Sequence, residues 1–282
     1  IFIQKNRMEM NDTQIYIGPR DNGFKQLVIN LLKRGNISDD RISKMMTQKN
    51  WEMYSQAFTS TSADPDVNYE MYEQLGDVTA NKFIVWYMYR RFPQLRHPLG
   101  VKVVARLRIN YGARQSFSQI GDKLGFWNYI SASEEDRGRK KKDLLEDCVE
   151  SFIGVTEMMI DDICQPGVGH AVVYNILKSV FDEIVISLKY EDLYDSKTRL
   201  KELFDYHKTT LGKLKYRNER DLETGFFTAY AYIENEGDIG HGMATKLKDA
   251  EQKAAEKGIQ NLKRRNIIKP IPEEYKIFND NE

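Results

Sequence analysis

Cysteine is scarce in this 282-residue chain: Cys148 and Cys164 are the only two. Two cysteines build no disulfide framework, which points to a reducing, intracellular compartment, the cytoplasm first and an organelle as the alternative. No apolar run reaches the length of a membrane span and no signal-peptide pattern is present, so no membrane partner is expected. Met is missing at Ile1, which leaves room for a short upstream piece. Net charge is lacking as well, with 42 Lys and Arg against 42 Asp and Glu. A nucleic-acid binder usually carries a basic excess, so the balance argues mildly against that class. Local clusters still matter, because an acidic site in one place can cancel a basic patch in another. A phosphate loop is absent too. The glycines of Gln165-Pro166-Gly167-Val168-Gly169-His170 follow no strand and precede no Lys-Ser/Thr pair. What is present is 41% hydrophobic and 30% charged residues, the mix of a soluble globular chain with a real core. The length suits one large domain or two ordinary ones.

The most informative stretch is Tyr69-Glu70-Met71-Tyr72-Glu73-Gln74-Leu75-Gly76-Asp77-Val78, which opens a long helical pattern. Positions three and four apart share a helix face, so Glu70, Glu73 and Asp77 form one acidic stripe. Gly76 interrupts the pattern at a cost of roughly 1 kcal/mol against alanine, which suggests close passage of another backbone. Taken alone, such a stripe is usually a solvated face. A second stretch, Lys142-Asp143-Leu144-Leu145-Glu146-Asp147-Cys148-Val149-Glu150-Ser151-Phe152-Ile153-Gly154, repeats the design, with Asp147 and Glu150 three apart and Gly154 in an apolar run. Two such helices packed through their glycines would bring four carboxylates together. Mutual repulsion would then call for a hard divalent cation with oxygen ligands, of the kind suited to phosphate chemistry.

Glu70 to Asp77 resembles the signature of ribonuclease III, and Asp147-Cys148-Val149-Glu150-Ser151-Phe152-Ile153-Gly154 resembles that family's second acidic segment, Asp-x-x-Glu-Ala-x-Ile-Gly. Between them, Ala105-Arg106-Leu107-Arg108-Ile109-Asn110 and Ile120-Gly121-Asp122-Lys123-Leu124-Gly125-Phe126 are similar to its linking helices. Order and spacing agree across residues 50–186. Upstream, Ala57-Phe58-Thr59-Ser60-Thr61-Ser62 is similar to the family's Ala-Phe-Thr-His-x-Ser, with Ser60 in the histidine's place.

Other features carry less. Asn22-Gly23 marks a turn, residues 24–32 read as a short amphipathic helix, and a second helix starts at Ser38 or Asp39 with Ile42 and Met45 buried. His97, beside Pro98, is more often structural than catalytic in such a loop. Arg139-Lys140-Lys141-Lys142 reads equally as a solvated run or as a guide for a phosphate backbone.

Beyond a linker near residues 192–196 the texture changes. Residues 197–211 form an amphipathic helix, and Lys215-Tyr216-Arg217 and residues 225–234 read as strands. In the second strand Phe227, Ala229, Ala231 and Ile233 alternate with Thr228, Tyr230 and Tyr232, the period of a one-sided sheet. A third strand at 241–244 and a helix over 245–262 complete an α-β-β-β-α order. The run Gly240-His241-Gly242-Met243-Ala244-Thr245-Lys246-Leu247-Lys248-Asp249-Ala250 resembles the double-stranded RNA-binding domain signature. Leu247 takes the place of the first paired lysine, and Leu222-Glu223-Thr224-Gly225 stands where the Gly-Pro-x-His loop falls. These departures leave a protein contact as a second role for this domain.

The resemblance implies an all-helical ribonuclease III endonuclease domain followed by a C-terminal α-β-β-β-α double-stranded RNA-binding domain. The expected divisions are an N-terminal helical extension (1–49), a catalytic domain (50–191), an RNA-binding domain (196–266) and a tail (267–282). Family analogy makes Glu73, Asp77, Asp147 and Glu150 both the catalytic and the metal-binding acids, holding Mg²⁺ with Mn²⁺ as a substitute. Lys246, Lys248 and Lys253 are the implied RNA contacts, with Glu70 near the subunit interface and the RNA. The implied activity is hydrolysis of double-stranded RNA by a homodimer. The competing reading is a non-catalytic ribonuclease III-like RNA-binding or structural protein. Such relatives typically lose one of the four acids, and all four are present here.

Overall fold

The structure, a computed structural model, describes residues 14–112, 114–234, 236–276 and 278. Residues 1–13 of the expected extension, and 277 and 279–282 of the expected tail, lie outside it. The chain divides into two compact units, one ending at Val185 and the other beginning at Ile186.

The first unit runs β1 (Ile15–Tyr16), α1 (Asn22–Arg34), α2 (Asp39–Met45), α3 (Gln48–Ala57), α4 (Glu70–Arg91), α5 (Gly100–Tyr111), α6 (Arg114–Lys123), β2 (Ala132–Ser133), α7 (Glu134–Arg139), α8 (Lys141–Ile163) and α9 (Val168–Phe181). It departs from the all-helical expectation by one short antiparallel ladder, in which Ile15 pairs with Ser133 and Tyr16 with Ala132. The start of α1 has a sequence cause: the Asp21 side chain accepts the Phe24 N–H at 3.1 Å, satisfying a donor that the first turn leaves open. Phe24, Val28, Leu31 and Leu32 then recur on one face and are buried. Helix α8 is the axis of the unit. From Cys148 to Thr156 every one of its residues is buried, so it is enclosed on all sides. Phe83 of α4 meets Tyr174 and Phe181 of α9 edge-on at 5.2 and 5.1 Å, closing the core on that side.

Residues 14–49 pack as part of this unit, and Arg20 is the reason. Its guanidinium donates to the carbonyls of Tyr129 at 2.6 Å, Gly18 at 3.0 Å, and Ser55 and Phe58 at 3.1 Å, and to Ser55 Oγ at 2.9 Å. One planar fork thus ties the N-terminal segment, the end of α3 and the turn before β2.

The second unit runs α10 (Tyr190–Leu193), α11 (Ser196–Tyr206), β3 (Leu214–Arg220), β4 (Phe227–Ile233), β5 (Gly237–Ala244), α12 (Leu247–Arg264) and α13 (Glu273–Lys276). The three strands form an antiparallel sheet in the order β3-β4-β5, with Tyr216 opposite Ala231 and Ala231 opposite Gly240. Ala229, Ala231 and Ile233 point inward against Leu200, Leu203 and Phe204 of α11 and Ala250, Ala254 and Ala255 of α12. The alternation along β4 is therefore the one read from sequence. Glycines at 240 and 242 let α12 lie on the strand backbone, since a Cβ there would fall 2.3 Å from the Ala254 carbonyl and 2.5 Å from the Ala250 carbonyl.

Two expectations change here. The division falls at Val185/Ile186 because Tyr190 and Tyr194 belong with the second unit, stacking with Tyr275 at centroid distances of 5.5 and 5.9 Å. The described part of the expected tail is packed: Tyr275 is 1% exposed, His207 Nε2 meets the Ile268 carbonyl at 2.8 Å, and Lys269 pairs with Glu202.

Candidate active site

Helices α4 and α8 cross with their backbones in contact. A Cβ added to Gly76 would lie 1.7 Å from the Glu150 carbonyl oxygen, and one added to Gly154 would lie 2.0 Å from that of Tyr72. Only glycine permits this approach, which is why both apolar runs are interrupted there. The crossing brings the acidic edge of α4 (Glu70, Glu73, Asp77) alongside that of α8 (Glu146, Asp147, Glu150).

The electrostatics follow from the crossing. Glu150 is only 6% exposed, and burial, then the charges of Asp77, Glu146, Glu73 and Asp147, push its carboxyl up to about 8. Glu73 is pushed up to about 7 by burial, then by Asp147, Glu70, Glu146 and Asp77. Asp77 and Asp147 thus both act on Glu73 and on Glu150. Burial and the neighbouring acids act on Glu73 and Glu150 in the same direction, against their charged forms.

The carboxylates do not, however, converge on a point. Among the described residues no three His, Cys, Asp or Glu side chains are grouped closely enough to hold a metal ion. Two of them are drawn to neighbouring donors: Tyr69 donates its hydroxyl to Asp147 Oδ2 at 2.8 Å, and Asn81 Nδ2 donates to Asp77 Oδ1 at 2.8 Å and to the Asp77 carbonyl at 2.9 Å. The donor chemistry itself fits a hard divalent cation, being all carboxylate oxygen beside the buried Glu150.

Sequence reasoning missed three participants. Tyr69 precedes the signature and reaches across to α8. Asn81 stands four residues after Asp77 on the same face, a spacing that could have flagged it. Glu146, four before Glu150, adds charge to both raised acids.

The Ribonuclease III domain profile matches residues 70–158, a span that includes all four acids and both glycines. A protein of Invertebrate iridescent virus 6, provisionally named ribonuclease 3, is 39% identical over 292 residues, covering 98% of this chain and 100% of that one. The chain belongs to the ribonuclease III family. The membership makes it an endoribonuclease by class, a hydrolase. The ribonuclease 3 of Oenococcus oeni is 28% identical over 69% of this chain and 81% of its own length. The nuclease domain of ribonuclease III from Campylobacter jejuni superposes with a TM-score of 0.41 at 20% identity, over 55% of this chain and 99% of that domain.

Several residues singled out in this ribonuclease III sequence have hydrogen-bond or ion-pair partners of their own. Ser60, in the histidine's place, is buried, with its Oγ 2.9 Å from Ser62 Oγ and its N–H on the Ser131 carbonyl. His97 is exposed, and its Nδ1 accepts the Leu99 N–H at 3.3 Å. The basic run is largely neutralised at home, since Arg139 pairs with Glu135, Lys140 with Asp136 and Lys141 with Asp122, at 2.6, 2.9 and 2.9 Å. Glu70 is exposed in the first turn of α4. Lys246 and Lys248 are exposed at the start of α12, whereas Lys253 donates to the Met243 carbonyl at 3.0 Å. Among the described residues no helix is long and apolar enough to cross a membrane.

Proposed function

We propose that the chain is a divalent-metal-dependent endoribonuclease that hydrolyses phosphodiester bonds of double-stranded RNA as a homodimer, each subunit cutting one strand. The observation that supports this reading is the glycine-on-glycine crossing of α4 and α8, across which the charges of Asp77 and Asp147 act on both Glu73 and Glu150. Glu73, Asp77, Asp147 and Glu150 would hold a divalent cation, Mg²⁺ with Mn²⁺ as substitute, which would supply positive charge for activating a water and for stabilising the leaving oxygen. The chain's own part is to hold it. Glu73, Asp77, Asp147 and Glu150 bind, Tyr69 orients Asp147, Asn81 orients Asp77, and no side chain serves as a nucleophile. Glu70 lies at the edge of this field, toward the RNA. The second unit supports a duplex substrate, because its α-β-β-β-α order suits recognition by shape, and Lys246 and Lys248 stand where a helix N-terminus favours phosphate.

Two measurements test the proposal. Wild type should cut a long RNA duplex in Mg²⁺ to short products, and folded Asp77→Asn should leave it intact. If wild type binds the duplex but never cuts it in Mg²⁺ or Mn²⁺, the non-catalytic alternative replaces this reading. For the homodimer, α4 offers an exposed apolar stripe of Met71, Leu75, Val78, Val85 and Tyr89, with Val78 68% exposed. Sedimentation should give twice the 33.0 kDa chain mass, and Val78→Glu should give the monomer. A wild-type monomer would remove the dimer from the proposal.

A further inference from the structure

The second unit carries a cleft of about 390 Å³ for which the nuclease reading has no use. The cleft follows from the way α12 ends. Asn266 takes φ 59°, the left-handed conformation that closes a helix, and the Ile267 N–H returns to the Leu262 carbonyl at 2.9 Å. The chain then runs back along α11 as an irregular strap, residues 267–271. His207 Nε2 meets the Ile268 carbonyl of this strap at 2.8 Å, and Lys269 fixes it by pairing with Glu202. Strap, α11 and the last turns of α12 enclose the cleft between them.

Its walls are apolar, formed by Leu203 of α11, Ile259 of α12 and Ile267, Ile268 and Ile271 of the strap. Two cations are set into them, Arg199 and Lys263. Among the described residues neither forms an ion pair, and the Arg199 guanidinium has a single hydrogen bond, from Nη2 to Ser196 Oγ at 3.4 Å. Its Nε is buried with no partner. Leaving a buried donor on a charged group unmatched is costly, so a ligand that brings an acceptor is favoured there. Glu202 is already taken, by Lys269 and by the Tyr190 hydroxyl. Glu191 is the one other acid at the cleft, and set against Arg199 and Lys263 it leaves a single positive charge.

We infer that this cleft binds a small amphipathic monoanion of the fatty-acid class, an unbranched apolar chain ending in one carboxylate. The apolar chain lies against the isoleucines, and the carboxylate meets Arg199 and Lys263. Size agrees, because small-molecule pockets run from roughly 300 to 1,000 Å³ and are apolar with a few polar groups that fix orientation. Charge agrees as well. An uncharged ligand leaves the guanidinium unmatched, and a polyanion meets Glu191 and only one net positive charge. A guanidinium takes a carboxylate through two parallel N–H bonds, which favours that headgroup. The acids of the nuclease reading all lie in the first unit, so this site is independent of that reading.

The test is isothermal titration calorimetry of the full chain with dodecanoate, kept below its micelle concentration, against dodecanol and dodecylamine. Dodecanoate should bind once per chain, and the uncharged and cationic analogues about tenfold or more weakly. Arg199→Met keeps the apolar stem and should lose about tenfold in dodecanoate affinity. Ile268 is 55% exposed, so Ile268→Glu should leave the fold intact while setting a second carboxylate at the cleft, and it should lose at least as much. Leu222→Glu, at an 88% exposed position on the β3–β4 turn, should match wild type, and circular dichroism should be the same for wild type and both Glu variants. No heat with dodecanoate overturns the site. Equal binding of dodecanol overturns the anion. Dodecanoate held equally by wild type and Ile268→Glu, or in several copies per chain, is adsorption elsewhere and also overturns the site. RNA cleavage enters none of these measurements, so this inference and the nuclease reading can each fail alone.

Discussion

Glu150→Gln is expected to abolish strand cleavage, by about a thousandfold or more, while making the cation-free protein more stable above neutral pH. The two effects share one cause. Glu150 is buried among Asp77, Glu146, Glu73 and Asp147, and its carboxyl is pushed up to about 8, against an ordinary value near 4.5. Between those two pH values the folded chain keeps a proton that the unfolded chain has lost, so stability falls as pH rises through that window. Glu73, pushed up to about 7, adds a fall of the same sign over a narrower range. Glutamine keeps the shape without the charge. The variant should therefore match wild type below about pH 4.5 and exceed it above pH 8 by on the order of a few kcal/mol, since each tenfold change in proton affinity is worth about 1.4 kcal/mol. Thermal melts in EDTA from pH 4.5 to 9 measure this. A wild type whose stability rises over that range would show that the acids are compensated by some partner. Adding Mg²⁺ should raise wild-type stability above pH 7, and the gain should be much smaller in the variant.

Gly76→Ala should be among the most destabilising single substitutions in the first unit. The new Cβ would sit 1.7 Å from the Glu150 carbonyl oxygen, and the obstacle is helix backbone that cannot rotate aside. Helices α4 and α8 must separate, which disturbs the core from Tyr72 to Ile84 and parts the carboxylates. A cost of about 3 kcal/mol or more follows, or roughly 6–12 °C in melting temperature for a unit of this size, with cleavage lost together with the fold. Gly138→Ala supplies the control. It lies within α7 with nothing within 4 Å of the added carbon, and alanine is the better helix former, so that variant should melt at or slightly above wild type. Equal melting of wild type and Gly76→Ala would mean that the two backbones do not touch.

Much of the site was legible before the fold was known because its physics is local. Glu70, Glu73 and Asp77 share a face by helical spacing alone. The glycines at 76 and 154 signal a close approach because nothing else offsets the cost of a mid-helix glycine. Alternation along residues 227–233 names the inward face of β4, and the apolar period of residues 24–32 names that of α1. The limits of this reading appear wherever a partner lies far away in sequence. Arg139 to Lys141 looks like a free basic run until Asp122, Glu135 and Asp136 are seen to neutralise it.

The sequence by itself determined that two acidic, glycine-bearing helices exist, that a three-stranded one-sided sheet follows, and that the chain belongs with ribonuclease III. These rest on periodicities of a few residues and on motif order, which need no coordinates. Tertiary structure alone decided that Tyr69 binds Asp147, that Arg20 fastens the N-terminal segment, that Tyr275 draws the expected tail onto the second unit, and that Arg199 and Lys263 share one cleft. Each depends on which distant segments meet. That is set by the packing of the whole core, because the residues involved stand tens of positions apart and no local pattern connects them.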